Sequence, residues 1–132
     1  GSYNHRLNLS TGILIKDNHI ASSGSITNAI KSVKKMNLEL PIEIEIDNND
    51  QLKEALLIGV DGILLDNMAP NQISSAVTII RESDKGNEIF IEASGGITYN
   101  NILPYLDTGI NAISIGALTH QAVSKNISLD FI

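Results

Sequence analysis

The sequence contains no cysteine, which removes disulfide frameworks, thiolate metal sites and thiol nucleophiles from consideration together. Cationic residues are also scarce, nine Lys and Arg standing against fifteen Asp and Glu for a formal net charge of −6. A broad nucleic-acid surface needs clustered Lys and Arg to neutralise phosphates, so nucleic acid is not an expected partner. The balance leaves room for an anionic small molecule, because one or two cations and a few backbone N–H groups in a cleft suffice. No apolar run is long enough to cross a bilayer, and the polar start lacks the charged and apolar regions of a signal peptide. A cytoplasmic location with no membrane partner is the expectation. The tripeptides Asn8-Leu9-Ser10 and Asn126-Ile127-Ser128 match a glycosylation acceptor, which such a location leaves unused.

What is present is enough for one domain: 132 residues, 42% of them hydrophobic. Short runs rich in Ile, Val and Leu predict strands over Ile13–Ile15, Ile42–Ile46, Val60–Leu65, Glu88–Ala93 and Ala112–Ile115. Helical patterns lie between them at Ile26–Met36, Gln51–Leu57, Asn71–Arg81 and Asn101–Leu106. Ser25, Asn49 or Asp50, and Thr98 are the candidate helix starts, and Gly59 and Gly109 the returns to strand. Pro41 opens the second strand, and Pro104 shortens or kinks the fourth helix. Strict alternation of strand and helix implies a parallel sheet with right-handed crossovers, either open or part of a barrel. A polar residue or glycine follows every strand, at Lys16, Glu45 or Asp47, Asp66, Ser94 and Gly116. That regularity favours a (β/α) barrel, whose chemistry sits at the C-terminal strand ends. Five strands do not close an eight-stranded barrel, so the chain is an open sheet or a piece of a larger barrel.

Several clusters carry candidate chemistry. Tyr3-Asn4-His5-Arg6 is suited to gripping a carboxylate through the planar guanidinium fork, the alternative being a solvated loop. Lys16-Asp17-Asn18-His19 brings a lysine out of an apolar strand toward a phosphate or carboxylate, or else forms an ordinary surface loop. His19 and His120 have no third partner at metal-ligand spacing. Glu43, Glu45 and Asp47 alternate with Ile42, Ile44 and Ile46, so all three acids project to one face. Against a helix layer they would be costly, and a barrel lumen or mouth suits at least one of them better. Asp66 ends an apolar run, where a hard anionic oxygen accepts from ribose hydroxyls or holds hydrated Mg²⁺, while Asn67 caps the next helix. Ser94-Gly95-Gly96 and Gly116-Ala117-Leu118-Thr119 are small-residue loops that let backbone N–H groups approach an anion. Two such loops after the last two strands match the barrel phosphate site.

Taken in order, His5-Arg6, Leu14-Ile15-Lys16-Asp17-Asn18-His19-Ile20, Glu43-Ile44-Glu45-Ile46-Asp47, Leu65-Asp66-Asn67, Ala93-Ser94-Gly95-Gly96-Ile97 and Ser114-Ile115-Gly116-Ala117-Leu118-Thr119-His120 resemble the motifs of the quinolinate phosphoribosyltransferases. The likeness runs to the tail Ile127-Ser128-Leu129-Asp130, with a slightly long loop around Asp84–Asn87. It implies most of an incomplete six-stranded α/β barrel, with residues 1–132 forming the C-terminal barrel domain. The family's N-terminal domain and first barrel strand, and the Arg and Lys they supply, would be missing, leaving the isolated chain inactive. The resemblance further implies a homodimer with sites between subunits. The reaction it implies is phosphoribosyl transfer from phosphoribosyl pyrophosphate to quinolinate with decarboxylation, giving nicotinate mononucleotide for NAD biosynthesis.

Carried over by motif, His5 and Arg6 would hold the quinolinate carboxylates, with Lys16 between quinolinate and the phosphoribosyl donor. Glu45 and Asp66 would take the ribose hydroxyls and, through water, Mg²⁺; with Lys16 they are the catalytic candidates. Ser94, Gly95, Gly96, Ile115, Gly116 and Ala117 would cradle the 5′-phosphate. Two other readings stand beside this one: another phosphate-binding (β/α) barrel enzyme, such as a nicotinate phosphoribosyltransferase, and a non-catalytic ligand-binding or assembly module. His5-Arg6 argues against the former, whose substrate has a single carboxylate to grip.

Overall fold

The structure is a computed structural model that describes residues 12–115. Five parallel strands form one open sheet in sequential order, β1 (Ile13–Ile15), β2 (Ile42–Ile46), β3 (Gly62–Asp66), β4 (Phe90–Ser94) and β5 (Ala112–Ile113). The helices are α1 (Asp17–Ser23), α2 (Ile26–Lys35), α3 (Asn49–Ile58), α4 (Pro70–Arg81) and the single turn α5 (Leu103–Leu106). Sequential order with right-handed crossovers puts all the helices on one face of the sheet. The side chains bear this out. Ile15, Ile42, Ile44, Ile46, Ile63, Leu65, Ile91, Ala93 and Ile113 are buried in one core with Ile26, Ile30, Leu52, Ile73 and Ile80 from the helices. The alternate strand positions Leu14, Glu43, Glu45, Leu64, Asp66, Phe90, Glu92 and Ser94 occupy the opposite face and are half-buried. Strands β1 to β4 therefore bury mainly one face, whereas both residues of the short β5 are buried. The acids of β2 avoid the helix layer, as their burial cost requires.

The differences from the expected elements have local causes. Helix α1 was read as a loop, and none of its residues is buried, so no apolar periodicity marked it; Gly24, at φ +93°, ends it. Val60 and Asp61 precede β3 rather than opening it. Asp61 pairs with the start of β2, its carboxylate accepting from Ile42 N at 2.8 Å and its own N–H reaching Ile42 O at 2.8 Å. Strand β4 starts at Phe90 and not Glu88, because Gly86–Glu88 form a turn of 3₁₀ helix. Arg81 fastens that turn, donating to Gly86 O at 2.6 Å, Ile89 O at 2.8 Å and Asn111 Oδ1 at 3.0 Å. Strand β5 stops at Ile113, although Ser114 N still donates to Ala93 O at 2.9 Å.

Helix caps follow the same pattern of partial agreement. Ser25 caps α2 as expected, accepting from Asn28 N at 3.1 Å. The α3 cap is Asn48, one residue before the expected pair, accepting from Gln51 N at 2.9 Å. Thr98 opens a turn instead of a helix: its N–H donates to Asn101 Oδ1 at 2.8 Å, and α5 begins only at Leu103. Pro104 then lies in the first turn, where its missing N–H costs nothing, and the helix is short, as expected, at four residues. Asn67 does not cap α4. It sits at φ +57° and sends its N–H to Ser94 O at 2.9 Å, while Gln72 Oε1 accepts from Ala69 N at the helix start.

Candidate active site at the strand C-termini

Because all five strands run parallel in one register, their C-terminal ends lie along a single edge of the sheet. Lys16 follows β1, Glu45 lies next to last on β2, Asp47 follows it, Asp66 ends β3 and Ser94 ends β4. Cross-strand register aligns Glu45 with Leu64 and Asp66 with Ser94, and all four side chains share the helix-free face. Electrostatics confirm their proximity. Burial first, then the charges of Asp66 and Asp17, raise the Glu45 carboxyl above its usual range, against the Asp17 backbone N–H and Lys16, which lower it. Asp47 is raised in the same way, by burial and by Asp17 and Asp66. Among the described residues, four carboxylates and one lysine thus share a mouth that is under-supplied with positive charge.

The join between β3 and β4 is the most ordered part of this mouth. Ser94 Oγ donates to Asp66 Oδ1 at 3.3 Å, and Asn67 N returns a bond to Ser94 O. Gly95 follows at φ +91°, and a Cβ on it would meet Asn67 N at 2.8 Å and Asp66 Oδ1 at 3.0 Å. Gly95 is therefore required by the Asp66–Asn67 corner itself, as well as by its left-handed backbone. Gly96 is different: at φ +73° it has nothing within 4 Å of its Cβ position, so its side faces open space. Asn101 Nδ2 holds the turn from behind by donating to Gly96 O at 2.9 Å.

One layer below lies a second acidic group that sequence reasoning assigned no separate role. Glu43 of β2 aligns with Gly62 of β3, and Glu92 of β4 aligns with Leu64; on the shared helix-free face the two acids lie close enough to interact. Burial, then the neighbouring Glu92, raises Glu43 from 4.5 to about 8. Glu43 Oε2 is buried with no hydrogen-bond partner, and a proton on it converts a stranded acceptor into a donor. Glu92 Oε2 accepts from Ser114 Oγ at 2.6 Å. Glu92 was missed although its alternation with Ile91 and Ala93, in phase with Ser94, was a usable signal.

Of the residues expected to form the site, Lys16, Glu45, Asp66, Ser94, Gly95 and Gly96 come together, and Ile115 is buried beyond β5. His5, Arg6, Gly116, Ala117 and His120 lie outside the described residues, as do both glycosylation tripeptides. Among the described residues no three His, Asp or Glu side chains converge closely enough to enclose a metal. A cavity of about 240 Å³ adjoins Asp47, between Asn48 and Asn49 of one helix start and Asn71 and Gln72 of the next.

An open parallel sheet with helices on one face and a polar mouth at its C-terminal edge defines a (β/α)-barrel type of protein. The sequence profile of the quinolinate phosphoribosyl transferase C-terminal domain matches residues 1–130, and the chain belongs to that family. It is 39% identical over 130 residues to the nicotinate-nucleotide pyrophosphorylase [carboxylating] of Mycobacterium leprae, covering 98% of this chain and 45% of that protein. The human protein of the same name is 30% identical over 130 residues, with 98% and 43% covered. The solved nicotinate-nucleotide pyrophosphorylase of Ehrlichia chaffeensis superposes with a TM-score of 0.71 at 44% identity, covering 79% of this chain and 36% of that one. That of Francisella tularensis gives 0.73 at 35%, covering 90% and 39%. The chain therefore spans less than half the length of the relatives it matches.

Proposed function

We propose that the full-length protein containing this chain transfers the phosphoribosyl group of phosphoribosyl pyrophosphate to quinolinate and decarboxylates the product to nicotinate mononucleotide. The observation that carries this reading is the Asp66–Ser94–Gly95–Gly96 corner, which sets a hydroxyl acceptor beside a turn open to an anion. Those are the two ends of a ribose 5-phosphate. Glu45 and Asp66 accept the ribose hydroxyls from below. As the bond to pyrophosphate lengthens, positive charge grows at the anomeric carbon, and preorganised carboxylates stabilise it without reorganising. The raised Glu45 and Asp47 fit this role, because burial and the nearby charges of Asp17 and Asp66 make each of them gain from positive charge that arrives beside it. Bound Mg²⁺, held through water by Glu45 and Asp66, would neutralise charge on the leaving pyrophosphate. Lys16 faces quinolinate, with His5 and Arg6 on its carboxylates, and the 5′-phosphate takes backbone donors of Gly95, Gly96, Gly116 and Ala117. Once the ring nitrogen is alkylated, its positive charge accepts the electrons released by decarboxylation.

Among the described residues the mouth offers these anionic substrates few cations, so the reading includes a further source of Arg and Lys in the rest of a longer polypeptide and a homodimer that completes the site. A cytoplasmic location belongs to the same reading. The test is release of labelled carbon dioxide from quinolinate by the full-length protein with Mg²⁺ and phosphoribosyl pyrophosphate. Turnover that falls at least a hundredfold in Asp66→Asn is expected. Absence of turnover in the wild type, or a fully active Asp66→Asn, would overturn the reading.

A further inference from the structure

We infer that Asn101 is a positioning residue for the phosphate turn that follows β4, fixing the Gly96–Ile97 peptide at its far end without touching substrate. The inference rests on the function proposed above and concerns how that binding turn is set. The turn holds two glycines in left-handed backbone, Gly95 at φ +91° and Gly96 at φ +73°. Glycine has the most conformational freedom to lose, so a glycine turn is ready for a ligand only where other groups fix it. Its near end is fixed by the β3 corner, where Asn67 N donates to Ser94 O at 2.9 Å and Gly95 lies against Asn67 and Asp66. The corner's hold stops there, since Gly96 has nothing within 4 Å of its Cβ position.

Asn101 supplies the hold on the other side. Its Nδ2 donates to Gly96 O at 2.9 Å, and its Oδ1 accepts from Thr98 N at 2.8 Å. Those two backbone groups flank Ile97, and they are the pair that a neighbouring strand would take in a parallel ladder. One side-chain amide thus extends ladder-like control past the end of β4, around a residue that is itself anchored in the core at 2% exposure. Asn101 is held in turn, its N–H donating to Thr98 O at 3.2 Å and Asn100 N to Thr98 Oγ1 at 3.2 Å. The bond to Thr98 N closes this local turn. The bond to Gly96 O, five residues back, adds nothing to that turn and fixes the glycines instead. In a trans peptide the carbonyl and the N–H point in opposite directions, so pinning Gly96 O toward Asn101 sends the Ile97 N–H away from it. Among the described residues the N–H groups of Gly95, Gly96 and Ile97 meet no acceptor, which leaves three consecutive donors for an anion.

The variants Asn101→Ala and Asn101→Asp of the full-length protein test this. The readouts are melting temperature, the quinolinate KM, and calorimetric affinities for phosphoribosyl pyrophosphate and nicotinate mononucleotide, both of which carry the 5′-phosphate. Asn101 is exposed, so its replacement opens no gap in the core. Asn101→Ala should weaken both phosphate-bearing ligands roughly tenfold while leaving the quinolinate KM within about threefold. Asn101→Asp keeps the acceptor for Thr98 N and loses the donor to Gly96 O. Compared with wild type at high salt, which screens the added charge, it should be as impaired as the Ala variant. Unchanged affinities in Asn101→Ala would overturn the inference. So would an equal loss for quinolinate in step with melting temperature, which marks a merely structural bond, or an Asp variant that binds like wild type, which leaves the bond to Thr98 as the one that matters. If the wild type neither binds phosphoribosyl pyrophosphate nor turns over quinolinate, the proposed function fails and the inference with it. A competent wild type with unaffected variants refutes the inference alone.

Discussion

Replacing Glu43 with Gln should make the protein more stable in alkaline solution and nearly unchanged in acid. Glutamine has the shape of a protonated glutamate and cannot lose the proton. In the folded chain Glu43 titrates near 8 rather than 4.5, because it is buried against Glu92. Below pH 4.5 the group is protonated in both folded and unfolded states, and no penalty arises. Between pH 4.5 and 8 the unfolded chain releases the proton while the folded chain holds it, so stability falls as pH rises. Above about pH 8 the folded state carries a second negative charge beside Glu92, and the loss is complete. At about 1.4 kcal/mol per tenfold change in equilibrium, the displacement from 4.5 to about 8 corresponds to roughly 5 kcal/mol. Residual access of water and sharing of one proton with Glu92 reduce this to roughly 2–4 kcal/mol. Melting temperatures of wild type and Glu43→Gln, taken from pH 5 to pH 9, should therefore coincide at the acid end and separate by about 5 °C or more at the alkaline end. Parallel curves, or a Gln variant that melts lower at pH 9, would refute the proton-sharing pair.

Three further outcomes follow from the geometry. Gly96→Ala, with open space at its Cβ but φ +73°, should cost about 1 kcal/mol of stability and lower phosphoribosyl pyrophosphate affinity, measured calorimetrically; wild-type affinity would remove Gly96 from the phosphate site. Gly95→Ala should be worse in melting experiments, because its Cβ collides with Asn67 and Asp66 as well as straining the backbone; equal melting of the two variants would show that the corner relaxes freely. Arg81→Met leaves the acceptors of Gly86, Ile89 and Asn111 without their donor and should destabilise by about 2–4 kcal/mol, with kcat of the folded fraction retained, since these contacts lie at the opposite end of the strands from the mouth. Lysine at 81, lacking the guanidinium fork, should not restore the melting temperature.

The helix-facing side of the strands was the most legible part of this fold in the sequence. Ile42, Ile44 and Ile46, like Ile63 and Leu65, announce strands because burial against helices demands apolar side chains at every second position. The mouth was legible too, since a polar residue after each apolar run marks a strand end in a parallel sheet. Helix α1 was not, because a helix with no buried face writes no period into the sequence. The turn at Gly86–Glu88 was hidden for a different reason: its geometry is set by Arg81, Asn111 and Ile80, residues distant from it along the chain or unremarkable in type. The pairing of Glu43 with Glu92 was likewise beyond reach, as it joins side chains of two strands that are not neighbours in the sheet.

The two acidic layers are best understood together. At the mouth, Glu45, Asp47 and Asp66 stand in reach of one another with Lys16 as the cation whose charge reaches Glu45. Below, burial and the neighbouring Glu92 raise Glu43 to about 8 and so favour its neutral form. A helix-free face carrying this many carboxyl groups would be filled with apolar side chains if stability alone had shaped it. A proton held on Glu43 limits repulsion within the lower pair, and Glu92 accepts from the hydroxyl of Ser114. The upper group has no equivalent compensation among the described residues, and its raised carboxyls record that deficit. In the proposed function, such an acidic mouth would receive positive charge that arrives with the ligand: a hydrated divalent cation and an anomeric carbon losing its leaving group. The anionic ends of the same ligand would then fall where carboxylates are absent, on the backbone donors beyond Ser94. Charge separation across a single corner, with acids beneath the sugar ring and glycine N–H groups beneath its phosphate, would sort the two ends of a phosphoribosyl group.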